Sequence, residues 1–136
     1  MTTQKNNKVM NIALWAVQVL LGAMFIMAGA MKTFQPVEAL TEALPWVEST
    51  PLGLVRFIGV SELLGGIGLL LPSLLKIKPN LTVLAAIGLA VVMLLAALFH
   101  GSRGEFPGIG VNLVIMGMAA FVAWGRSKKV PILAKG

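Results

Sequence analysis

The sequence predicts an all-α membrane protein, an up-and-down bundle of four transmembrane helices. Three observations carry this. Of 136 residues, 57% are hydrophobic and 12% charged, where a soluble domain has about 45–50% and about 25%. Mean hydropathy is +0.90. Four long apolar segments are separated by proline-containing breaks. Lipid offers no partner for backbone polar groups, so the segments must be helices. One transmembrane domain over residues 1–136 accommodates them.

The first span, residues 9–31, is 23 residues long and uncharged. Residues 54–71 form the second, with two charges, Arg56 and Glu62. Residues 81–99 form the third and residues 109–125 the fourth, both uncharged. Crossing a hydrocarbon core of roughly 30 Å takes about 17–25 helical residues. Pro36, Pro45 and Pro51 lie between the first two spans, Pro72 is placed at the end of the second, and Pro79 and Pro107 precede the third and fourth. Gly22 and Gly29, and likewise Gly59 and Gly66, lie seven apart on one helical face, where small residues let helices pack. Trp15 and Trp124 suit one interface and Trp46 the other.

In the linker, residues 34–53, Val37, Leu40, Leu44 and Val47 follow helical spacing. A short amphipathic helix is expected at residues 36–43, as solvated decoration or as a lid over a cavity.

Lys5, Lys8, Lys76, Lys78, Arg126, Lys128, Lys129 and Lys135 fall at one end of the bundle; Lys32, Arg56 and Arg103 fall at the other. The positive-inside rule then places both termini in the cytoplasm. All five acids, Glu38, Glu42, Glu48, Glu62 and Glu105, fall in the outer half. The net charge of +6 therefore reads as a cytoplasmic basic rim, not a nucleic-acid surface. Lys5, Lys8 and Ala28-Gly29-Ala30 resemble parts of a signal peptide, but the apolar run is too long and no cleavage is expected.

The chain has no cysteine, which excludes disulfides, thiol nucleophiles and iron–sulfur ligation. His100 is its one histidine, too few for a bis-histidine haem in one chain or for a metal triad. The methionines read as packing residues.

The residues that lipid should exclude form one cluster. Glu62 lies well inside the second span, on the same face as Gly59 and Gly66, so it points at neighbouring helices. Lys32 ends the first span, Arg56 opens the second, His100 ends the third and Asn112 is near the outer start of the fourth. Every span thus brings a polar group to the outer end. Gln18 is the polar side chain expected deep in the inner half, with an interhelical hydrogen bond. The cluster has three open readings: a salt-bridged plug that fixes helix register, a pocket for a small amphiphile, substrate or proton, or snorkelling side chains.

The pattern Arg56-x-x-Gly59-x-x-Glu62-x-x-Gly65-Gly66-x-Gly68-x-x-x-Pro72 resembles the second span of the DoxX-like family. Gly29-Ala-Met-Lys32, Phe99-His100 and Trp124-Gly125-Arg126 match it in kind. The resemblance implies a four-span bacterial inner-membrane protein. It also implies association with membrane redox complexes, in some members with quinones, and assembly roles in animal relatives. It makes Lys32, Arg56, Glu62 and His100 positions of interest.

The leading expectation is an accessory subunit binding a quinone or lipid among Lys32, Arg56, Glu62, His100 and Asn112. Whether it catalyses a reaction is left open. The alternative is a structural or assembly protein whose polar cluster stabilises the bundle. A transporter ranks last, because the inner half offers little polar path. Partners consistent with these readings are the lipid bilayer, a membrane redox or client protein, and a second copy of the chain. The one cofactor considered is a bound quinone.

Overall fold

The computed structural model describes residues 2–134; Lys135, counted above with the basic end, lies outside them. Its helices are α1 (Thr2–Phe34), α2 (Val37–Ala43), α3 (Leu52–Leu75), α4 (Asn80–Ser102) and α5 (Phe106–Trp124). A 3₁₀ turn, Pro45–Ser49, follows α2, and a π-helical turn, Gly125–Lys129, extends α5. There is no strand among the described residues. The four long helices are each apolar enough to cross a membrane, as the composition predicts.

Consecutive long helices are neighbours, and α5 returns to α1, closing the bundle. The linker end carries α2, the start of α3 and the α4–α5 connection. The basic end carries the starts of α1 and α4 and the π turn. Between the two ends lies an apolar core of Leu21, Phe25, Leu69, Leu89 and Met93 with Ala119 and Val122.

Glycines set the α1–α3 contact. A Cβ on Gly29 would fall against the Leu63 backbone and 2.7 Å from the Gly59 carbonyl oxygen. One on Gly59 would lie 2.7 Å from Lys32 Cβ. Only glycine allows this approach, and it presses the end of α1 against the face of α3 that carries Glu62.

Pro72 does not end α3, as the sequence reading expected; the helix continues to Leu75. Proline in a helix leaves the carbonyl four residues back without its amide partner. That carbonyl belongs to Gly68, and the Thr82 hydroxyl of α4 donates to it at 3.0 Å. The helix ends instead at Lys76, which adopts the left-handed conformation (φ 55°) while its amide bonds back to the Pro72 carbonyl.

Helix α2 begins after Pro36, close to expectation, and buries Leu40. Leu40, Val47 and Val55 form a second apolar cluster that pins the linker to the bundle.

Candidate functional site

At the linker end a cavity of about 500 Å³ opens between the helices. Its walls are mostly apolar: Met24, Phe25 and Ala28 of α1, Phe57 and Ile58 of α3, and Met93, Ala96 and Phe99 of α4. Phe57 and Leu95 line it while remaining 69% and 60% exposed. The cavity therefore meets the lipid-facing surface between α3 and α4.

Four of the five expected site residues, Lys32, Glu62, His100 and Asn112, line this one cavity. Glu62 is 3% exposed. Lys32 Nζ lies 2.5 Å from Glu62 Oε1 and donates to it. The pair places opposite charges where lipid would penalise either alone. His100 Nδ1 lies 3.1 Å from Glu105 Oε1, which also accepts from Arg103 Nε at 3.0 Å. His100 and Glu62 share the cavity, but each is bonded to a different partner. The Asn112 side-chain nitrogen is buried and has no hydrogen-bond partner among the described residues. A buried amide donor of this kind ordinarily has a partner.

Arg56 is placed differently and is not among the cavity's lining residues. Its Nη1 donates to the Lys32 carbonyl at 3.0 Å and the Gln35 carbonyl at 2.6 Å. It thereby caps the last turn of α1, whose carbonyls have no helical partners, and holds the backbone that presents Lys32.

Several lining residues escape a reading based on charge. Trp46 and Thr50 descend from the 3₁₀ turn and its following residue into the cavity. Trp46 packs edge-on against Phe99 at 6.0 Å. The linker thus reaches the cavity through Trp46 of the 3₁₀ turn and through Thr50; α2 contributes no lining residue. Leu54, Ile58, Ser61 and Glu62 fall at i, i+4, i+7 and i+8, so the helical face of Glu62 carried a signal for them.

The basic end holds a second polar network. Gln18 Nε2 donates to the Leu69 carbonyl at 2.7 Å, and its Oε1 accepts from Arg126 Nε at 2.6 Å. Ser73 and Thr82 hydroxyls lie 2.6 Å apart beside them. Gln18 makes the expected interhelical bonds, but it is not alone: Ser73, Thr82 and Arg126 are buried with it. Arg126 is therefore buried inside the bundle and no part of the basic rim expected at this end. The π turn winds wider than an α-helix and carries Arg126 inward toward α1. The apolar core separates this network from the cavity.

A small helical bundle with four apolar spans and a buried ion pair beside a lipid-facing cavity defines a polytopic membrane protein. The model of the DoxX-like family matches residues 16–122, and the chain belongs to that family. No curated protein and no solved structure matches the chain.

Proposed function

We propose that the protein is an accessory membrane subunit that binds a small amphiphile, a quinone or a lipid, in the linker-end cavity. The observation that carries this is the convergence of Lys32, Glu62, His100 and Asn112 on the lining of one largely apolar cavity, with the buried Asn112 amide nitrogen unpartnered among the described residues. The volume falls within the roughly 300–1,000 Å³ of small-molecule sites. Apolar walls suit a tail or ring, and the polar side chains suit a carbonyl, hydroxyl or phosphate oxygen.

In this reading Lys32 Nζ donates to a ligand oxygen, and the buried Asn112 amide does so once its side chain turns into the cavity. Glu62 accepts or gives a proton, and His100 borders the polar end. Aromatic faces of Phe99 and Trp46 stack on a ring. The side chains carry no redox centre of their own, so electron transfer runs through a bound quinone and a partner complex. The basic end faces the cytoplasm by the positive-inside rule, in a bacterial inner membrane.

The test is extraction of bound small molecules from protein purified in native lipid nanodiscs, beside Glu62→Gln. A stoichiometric quinone or lipid that disappears in the variant supports the reading. Bulk lipid in both samples opposes it.

A second reading, a structural or assembly protein, draws on the Lys32–Glu62 pair being satisfied within the chain. In that case Glu62→Gln lowers thermal stability, changes no bound molecule, and crosslinking in native membranes recovers a client protein.

A further inference from the structure

Burial of Arg126 poses an electrostatic problem that the linker-end cavity does not address. The side chain is 3% exposed. Its protein partners are the Gln18 Oε1 at 2.6 Å, the Asn11 Oδ1 at 2.8 Å and the Val130 carbonyl at 3.0 Å. All three are neutral. Trp15 offers a ring face 5.3 Å from the guanidinium carbon, a quadrupole and not a charge. Nη2 is buried with no hydrogen-bond partner among the described residues. A buried cation without a counter-charge is costly.

No acidic side chain is available to supply that charge, because all five acids sit in the other half of the bundle. Instead, two more cations join Arg126. Lys8 and Lys76 line the same open groove, together with Trp15, Ser73 and the segment from Val130 to Leu133. Among the described residues, three cations and no acid therefore line one concave surface. The groove lies at the basic end of the apolar spans, and its lining residue Leu133 is 80% exposed.

We propose that this groove binds a phosphate-type anion, with Arg126 as its buried anchor and Lys8 and Lys76 as its outer clamp. Guanidinium groups match phosphate oxygens in geometry, and charge-assisted hydrogen bonds are stronger than neutral ones. Basic pockets between transmembrane helices at the polar interface are suited to anionic lipid headgroups. Nη2 is buried, so binding requires that the irregular wall of Pro131, Ile132 and Leu133 move aside to admit the anion. The same chemistry serves a phospholipid headgroup or free phosphate. The site is independent of the linker-end cavity.

The test uses the full chain in nanodiscs of phosphatidylcholine with or without phosphatidylglycerol, read by native mass spectrometry and melting temperature. Ligands that bind the folded state raise its melting temperature. A lipid source predicts retained phosphatidylglycerol and higher melting in its presence. A free-anion source predicts that inorganic phosphate, but not chloride at equal ionic strength, raises melting in pure phosphatidylcholine. In either case Lys8→Gln/Lys76→Gln weakens the affinity read from the response about tenfold, the loss of about one charge-assisted contact. Lys78→Gln/Lys128→Gln, which removes equal charge outside the groove, leaves it unchanged. Arg126→Gln abolishes the response. The clamp variants keep the test valid if that protein fails to fold. The proposal is overturned if neither phosphatidylglycerol nor phosphate has an effect, or if both double variants weaken the response equally.

Discussion

Lys32 Nζ lies 2.5 Å from Glu62 Oε1, joining the last turns of α1 to the middle of α3. Gly29 and Gly59 permit the contact by letting the two backbones meet, and Arg56 secures the carbonyls of the lysine itself and of Gln35 just beyond α1. The ion pair is thus the product of helix packing and capping, and it forms one polar wall of the cavity.

Removing one partner strands the other charge in an apolar surrounding. Lys32→Met and Glu62→Leu should each destabilise the protein by about 3–5 kcal/mol, and the double substitution should recover most of that loss. Unfolding in detergent for the full double-mutant cycle measures the coupling. Additive losses would mean that the two charges do not interact.

Glycine substitutions should separate close packing from open space. Gly29→Val drives a side chain into the Leu63 backbone and should lower the melting temperature strongly. Gly53 has nothing within 4 Å of where its Cβ would stand. Gly53→Ala should therefore stabilise α3 by about 0.5–1 kcal/mol through helix propensity. Thermal melts of the two variants side by side check both directions.

The hydroxyl of Thr82 replaces the amide that Pro72 lacks. Thr82→Val leaves the Gly68 carbonyl unpaired and should cost about 1–3 kcal/mol. Pro72→Ala restores a backbone donor, so the same Thr82→Val change should cost markedly less in that background. An equal cost in both backgrounds, read by chemical unfolding, would refute the substitution of one donor for the other.

Arg56 should behave as a positioning residue. Arg56→Met removes its bonds to the Lys32 carbonyl of α1 and the Gln35 carbonyl that follows, and should lower stability by about 1 kcal/mol, reduced from the buried value by partial exposure. Amide exchange at the end of α1 should quicken. The affinity for a cavity ligand should fall less than in Asn112→Leu, since Arg56 does not line the cavity.

The spans were legible in the sequence because lipid leaves the backbone one solution, and the glycine spacing showed which faces meet. The gathering of Lys32, Glu62, His100 and Asn112 was legible too, since Lys32, His100 and Asn112 stand near the same end of their spans and Glu62 lies in that half of its own. Other features depend on tertiary partners that spacing does not encode. Pro72 looked like a terminator because the donor that tolerates it, Thr82, comes from α4. Arg126 looked like rim charge because its burial depends on a π turn. Trp46 looked like an interface anchor, yet the 3₁₀ turn aims it at Phe99 and the cavity.

Trp46 also provides the most direct test of cavity binding, because Trp15 and Trp124 belong to the opposite end. In Trp15→Phe/Trp124→Phe protein, a short-chain quinone and a brominated phospholipid are titrated separately while Trp46 fluorescence is recorded. The account predicts saturable quenching by one of them, lost when Ala96→Phe fills the cavity. Quenching that never saturates, and is the same with and without Ala96→Phe, would contradict it.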